Sequence, residues 1–256
     1  MRKRILQKAF GRITPVFLLG LVMLALTAAP SAQASIGIVV TIAPEPLPVY
    51  EQPYCPGPSY IWAPGYWAWG PDGYFWVPGT WVLAPFQGAL WTPGYWAWDP
   101  DDGGYIWREG YWGPVVGFYG GINYGYGYTG RGYEGGYWRN GAFFYNRAVN
   151  NVNTTNITNV YNKTVINNVT VNNVSYNGGN RGTTARATGA EMAAEHGRRV
   201  PPTAEQRRHV EVARAEPAQL ASRNHGRPQI AATPQPGVLR GQGVVRASGG
   251  GIPAGG

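Results

Sequence analysis

One aromatic frame, Trp, two residues, Gly, one residue, Trp, recurs along this chain. It reads Trp62-Ala-Pro-Gly65-Tyr-Trp67, Trp76-Val-Pro-Gly79-Thr-Trp81, Trp91-Thr-Pro-Gly94-Tyr-Trp96 and Trp107-Arg-Glu-Gly110-Tyr-Trp112. A fifth copy, Tyr133-Glu-Gly-Gly136-Tyr-Trp138, begins on tyrosine. All 11 tryptophans lie between 62 and 138. Tryptophan is scarce, so spacing this dense and regular marks a repeated structural unit.

The unit reads as a β-hairpin. Tyr66-Trp67-Ala68-Trp69 alternates as a strand does, Gly70-Pro71-Asp72-Gly73 is a turn, and Tyr74-Phe75-Trp76-Val77 returns. Proline presets φ, aspartate bonds its own backbone, and glycine accepts positive φ. Trp67 and Trp69 share one face, with Trp76 across from them. The plan recurs at Pro93-Gly94-Tyr95-Trp96-Ala97-Trp98, with a longer turn at 99–104. The expected fold is mainly β: an antiparallel meander of Trp-rich hairpin repeats, with closure into a small barrel or sandwich left open.

Residues 60–145 hold 29 aromatic residues but only nine Val, Ile and Leu, so a core built here is made of rings. Two readings follow. The tryptophans are core, or a subset (Trp67, Trp69, Trp96 and Trp98) forms a stacking platform for sugars or other flat ligands.

The flanks differ sharply in composition. Arg2, Lys3, Arg4, Lys8 and Arg12 precede an apolar run, Val16 to Leu26, and small residues ending Ala32-Gln33-Ala34. That order predicts a secretory signal, residues 1–34, cut after Ala34. The apolar run is shorter than a bilayer span. Residues 35–59 read as a Pro-rich linker. Residues 146–180 form an Asn/Val-rich segment, with a strand expected over 164–171 from Val165, Asn167, Val169 and Val171. Residues 181–225 are Arg-rich with short helices. Thr203-Ala-Glu-Gln206 is a capping box that opens a helix at 203–215, and a further helical turn is expected over 217–223. Residues 226–256 read as a disordered Gly/Pro/Ala tail.

The whole chain carries +8, but five of the positive charges precede residue 35. Beyond Ala34 the balance is 16 basic to 13 acidic residues, which is no argument for nucleic acid. Cys55, the one cysteine, forms no internal disulfide.

The chain resembles the exported bacterial proteins known as YXWGXW, or WXXGXW, repeat-containing proteins. The likeness rests on the frames, on Cys55-Pro56-Gly57-Pro58, on the run from Tyr111 to Gly125, on Val174-Ser-Tyr-Asn-Gly-Gly179, and on Pro201-Pro202-Thr203 and Asn224-His225-Gly226. It implies export and a repeat architecture and brings no catalytic residues with it. Tyr133, standing for the first tryptophan of the fifth frame, marks that unit as an end cap.

Motifs that imitate chemistry read more simply. Gly125-Tyr-Gly127-Tyr-Thr-Gly130 fits G-x-G-x-x-G but precedes no helix, so it is an aromatic-glycine loop. Asp99, Asp101 and Asp102 lack calcium-loop spacing and suit a turn. His196, His209 and His225 form no ligand pair. The expectation is a non-enzymatic protein without cofactor or metal, exported to the periplasm or cell surface, acting as a structural or interaction module. The alternative is a glycan-binding module. The expected partners are envelope polysaccharide or further copies of the chain through its asparagine ladder, not nucleic acid, with no transmembrane span in the mature chain.

Overall fold

A computed structural model describes residues 38–165 and 173–248. In chain order the strands are β1 (Val39–Val40), β2 (Tyr60–Ala63), β3 (Tyr66–Gly70), β4 (Gly73–Val77), β5 (Gly79–Leu83), β6 (Leu90–Thr92), β7 (Tyr95–Asp99), β8 (Gly104–Arg108), β9 (Tyr111–Gly113), β10 (Asn123–Gly125), β11 (Tyr128–Thr129), β12 (Gly136–Arg139), β13 (Ala142–Asn146), β14 (Val160–Tyr161) and β15 (Tyr176–Asn177). Helices α1 (Gly189–His196), α2 (Ala204–Arg214) and α3 (Ala221–Asn224) follow, with a 3₁₀ turn at Pro217–Gln219 between α2 and α3, and β16 (Ala232–Thr233) comes last.

The mainly β, hairpin-built reading holds, and among the described residues the strands form several small sheets with no closed barrel. Both anticipated hairpins are present, β3–β4 and β7–β8. Each is the inner half of a longer one. β2 pairs with β5 outside β3–β4, and β6 pairs with β9 outside β7–β8. The register does not slip between the halves: Ala63 faces Thr80, and three residues on, Tyr66 faces Val77. Residues 60–83 are therefore one hairpin broken at Pro64-Gly65 and Pro78-Gly79, where proline withdraws a ladder donor. Residues 90–113 repeat the plan, with Thr92 facing Tyr111 and Tyr95 facing Arg108.

The break explains the frame. Tryptophans five residues apart would point to opposite faces of an unbroken strand. With the Pro-Gly interruption between them, Trp62 and Trp67 both enter one core, together with Trp76, Trp81, Trp91, Trp96 and Trp112. Each frame's first tryptophan sits opposite the second tryptophan of the partner frame: Trp62 with Trp81, Trp76 with Trp67, Trp91 with Trp112 and Trp107 with Trp96. Ring centroids in these pairs lie 5.2 to 5.5 Å apart at steep angles. Such pairs contribute roughly 0.5–1.5 kcal/mol each beyond burial. The glycine is the seat for the partner's ring: Gly79 carries Trp62, Gly65 carries Trp76, Gly94 carries Trp107 and Gly110 carries Trp91. The third hairpin, β12–β13, follows the same rule with Phe143 on Gly136 and facing Trp138.

The indole N–H groups tie the rest of the chain to the hairpins. Trp67 donates to the Pro46 carbonyl at 3.1 Å and Trp81 to Pro53 at 2.8 Å. Trp76 donates to Ala231, Trp96 to Trp67, and Trp138 to Ala89. These bonds correct two expectations. The 35–59 segment, over its described part, is extended but is no free linker: Val40, Leu47, Gln52 and Cys55 are buried. Proline-rich backbone has carbonyls without ladder partners, and indoles are donors that need acceptors when buried. The 226–256 segment is not a trailing tail over residues 226–248. Ala231, Ala232 and Thr233 are fully buried, and β16 pairs in parallel with β5 beside the glycine break.

The expected helix at 203–215 is α2, capped by Thr203 and Gln206 as the sequence indicates. The turn over 217–223 is the 3₁₀ turn followed by α3. Helix α1 was not anticipated, although Thr188 and Glu191 form a second capping box. Arginines of this segment lie over rings: Arg198 over Phe86, Arg199 over Tyr111 and Arg214 over Phe75. Most of the strand expected over 164–171 lies outside the described residues. The neighbouring asparagines serve the fold internally: Asn146 Nδ2 donates to the Glu134 and Lys163 carbonyls, and Asn151 Nδ2 to Gln52.

Candidate functional site

The four tryptophans proposed as a stacking platform separate into two kinds. Trp67 and Trp96 are 1% and 3% exposed and present no ring face to a ligand. Frame tryptophans are consumed by cross-strand pairing, and both of these indoles already donate to backbone carbonyls. Trp69 and Trp98, the second rings of the two Tyr-Trp-Ala-Trp strands, are half-buried. Each faces a tyrosine across its hairpin: Trp69 meets Tyr74 at 4.8 Å and Trp98 meets Tyr105 at 5.0 Å, both edge to face.

Trp98 also lines an open groove of about 720 Å³ with Thr41, Ala43, Tyr105, Tyr176 and Arg181. Three parts of the chain build it. The β7–β8 hairpin brings Trp98 opposite Tyr105. β15 runs parallel to β7, with Tyr176 beside Trp96, so the Tyr176 ring meets Tyr105 at 5.0 Å. Beyond β15 the chain turns at Gly178 and Gly179, both at positive φ. A Cβ at Gly179 would stand 2.6 Å from Tyr105 Oη, so only glycine lets this loop close on the rings. Asn177 Nδ2 anchors the loop by donating to the Gly120 and Ala185 carbonyls, and Tyr176 Oη donates to Asn180. Burial, with Tyr176 beside it, raises the Tyr105 hydroxyl above the ordinary tyrosine range, so it remains a donor at neutral pH. The groove thus combines three aromatic rings with the exposed guanidinium of Arg181.

A second cavity, about 80 Å³, lies where the breaks of both hairpins meet α2, lined by Pro64, Pro78, Pro93, Trp107, Glu109 and Arg207. Ligand pockets run to roughly 300–1,000 Å³, so this space is a packing gap. Beside it His209 is buried, its Nε2 against the Pro78 carbonyl at 2.9 Å and its Nδ1 accepting from Gly237 N–H at 2.8 Å. It therefore joins α2 to the first hairpin's break and to the C-terminal segment. Burial lowers its pKa to about 4.

The motifs that imitate chemistry serve the fold. Asp99 Oδ1 accepts from the Asp101 and Asp102 amides, which is turn chemistry. The Gly125–Gly130 loop joins β10 to β11 and passes no helix. Cys55 is buried, its thiol bonded to the Gly57 carbonyl, and burial pushes it up to about 11. Among the described residues no cluster of His, Cys, Asp and Glu could hold a metal ion, and no helix is long and apolar enough to cross a membrane.

Comparison with known proteins gives one match. No curated protein and no solved structure is similar to the chain. Residues 57–82 and 90–113 match the WXXGXW repeat in two copies. These spans coincide with the two broken hairpins, so the repeat unit is one hairpin made of two interlocked frames, and the chain carries two copies of the WXXGXW repeat.

Proposed function

We propose that this protein is an exported, non-enzymatic component of the bacterial cell envelope that acts as a structural or interaction module. The use of the tryptophans carries this reading. Seven of the 11 indoles are buried, and their N–H groups fasten both flanking segments to the hairpins. A chain that spends its most ligand-competent residues on its own framework is built for persistence rather than turnover. The basic and apolar N-terminus ending Ala32-Gln33-Ala34 supports export. Fractionation of cells with N-terminal sequencing of the processed chain tests it. A chain found in the cytosol with Met1 intact overturns it.

A second reading, saccharide binding, is favoured by the groove at Trp98, Tyr105 and Tyr176. Rings with adjoining polar groups suit the alternating apolar and hydroxylated faces of a sugar. Titration with peptidoglycan and exopolysaccharide fragments, followed by tryptophan fluorescence in the protein and in Trp98→Ala, tests it. A shift that survives in the variant, or no shift with any fragment, counts against the groove.

A further inference from the structure

The third hairpin differs from the first two on its outer face. In the frame, the residue between glycine and the second tryptophan is Tyr66, Thr80, Tyr95, Tyr111 and Tyr137 in turn. The chain covers the first four. Thr80 and Tyr111 are buried, Tyr66 stacks on Trp107 at 4.7 Å, and Tyr95 meets the Phe118 ring at 5.4 Å. Tyr137 is left 41% exposed. Its ring lies 5.5 Å from Phe144, its cross-strand partner, and 5.2 Å from Tyr161 of β14. These three rings cross the β12–β13–β14 sheet on the side away from the buried Phe143 and Tyr145.

Charge marks the same face. Arg139, two residues beyond Tyr137 on β12, shares its side of the strand and is exposed. It has no ion-pair partner among the described residues. The nearby Lys163 and Glu134 close on each other at 2.7 Å and cancel. The face therefore carries uncompensated positive charge, although residues 35–180 as a whole are net acidic.

We propose that this face binds a carboxylated polysaccharide. Tyr137, stacked on Phe144 with the two planes 7° apart and leaning on Tyr161, offers the exposed part of its ring to the C–H surface of the sugars, and the Arg139 guanidinium takes a carboxylate through paired N–H bonds. One free cation is too few to hold a phosphate backbone, whose binding rests on neutralising many charges. The site is separate from the Trp98 groove and does not depend on it.

The test is affinity electrophoresis and calorimetry of the purified protein with polygalacturonate, neutral dextran and a single-stranded polynucleotide. Polygalacturonate is expected to retard the protein, and dextran not. Tyr137→Ala and Arg139→Gln should each weaken binding by about tenfold or more, equivalent to about 1.4 kcal/mol, while Trp98→Ala leaves it unchanged. Both positions are exposed, and Arg139→Gln keeps the test valid should the tyrosine variant fold poorly. Absence of polygalacturonate binding, loss in Trp98→Ala alone, or preference for the polynucleotide overturns the proposal. So does a concentration-dependent dimer abolished by Tyr137→Ala, which would show that a second copy covers the face.

Discussion

The Trp62 ring rests directly on Gly79. A Cβ built on that glycine would stand 2.5 Å from Trp62 Cζ2, well inside any real contact. The same seat recurs at Gly94 under Trp107, also at 2.5 Å, and at Gly110 under Trp91, at 2.6 Å. The frame glycines are thus held by a ring on the facing strand and not by their backbone angles. Gly79→Ala and Gly94→Ala should each destabilise the protein by about 2–3 kcal/mol, the usual cost of overpacking a filled core. Gly189, at the start of α1, has open space where its Cβ would go. Gly189→Ala should be neutral or stabilising by up to about 1 kcal/mol. Urea denaturation of the three variants distinguishes them, and equal losses would remove the seat argument.

Gln206 has two tasks. Its Oε1 accepts the Thr203 amide at the start of α2 and also the indole N–H of Trp112 at 2.8 Å. Gln206→Ala therefore breaks the cap and leaves a buried indole donor without a partner, a combined cost of about 2–4 kcal/mol. Thr203→Ala loses only its part of the cap, about 1 kcal/mol. Chemical denaturation should rank the two in that order.

His209 makes stability depend on acid. Its folded pKa, about 4, lies below the ordinary value of 6.5. The unfolded chain therefore binds the extra proton first, and stability present above pH 6.5 is lost as pH falls towards 4. The loss amounts to about 3 kcal/mol. Protonation of Nδ1 also ends its acceptance of the Gly237 N–H, so the C-terminal segment should loosen first. His209→Gln should flatten the pH profile across this window, as followed by thermal unfolding and by hydrogen exchange at Gly237.

The buried tyrosines set the alkaline limit. Burial holds Tyr124 and Tyr128 well above the ordinary value of 10. Above pH 10 the unfolded chain sheds these protons and the folded chain does not, so stability falls as pH rises. Tyrosinate absorbance from Tyr124 and Tyr128 should appear only as a late step coincident with unfolding. A single smooth titration near pH 10 with the fold intact would contradict the packing.

Iodide quenching reads the tryptophans directly. Trp69, Trp98, Trp107 and Trp138 are half-buried and the other seven are buried. Only a minority of the emission should be accessible, and Trp98→Ala should reduce that fraction whereas Trp67→Phe should not.

Some of this organisation is legible in the residues. The turns at 70–73 and 99–104 follow from proline, aspartate and glycine chemistry, and α2 follows from its capping box. The capping box at Thr188 is equally readable, although it sits in a segment dominated by charge and small residues. The pairing of frames is harder to see, because Gly65 is explained by Trp76, a partner set by register and not by neighbourhood. Exposure of Trp98 against burial of Trp96 is not written locally either, since both lie in the same Tyr-Trp-Ala-Trp strand and differ in what crosses them. The packed flanks were invisible for a further reason. Residues such as Pro46, Pro53 and Ala231 contribute carbonyl oxygens, and a main-chain acceptor leaves no mark in composition.

The indole-to-carbonyl ties limit how such a molecule can lengthen. Duplicating residues 60–83 would add second copies of Trp67, Trp76 and Trp81, whose N–H groups would find no Pro46, Ala231 or Pro53 waiting. Copies of the first hairpin are therefore coupled to the supply of flanking chain, whereas the second hairpin draws one acceptor, the Trp67 carbonyl, from the first.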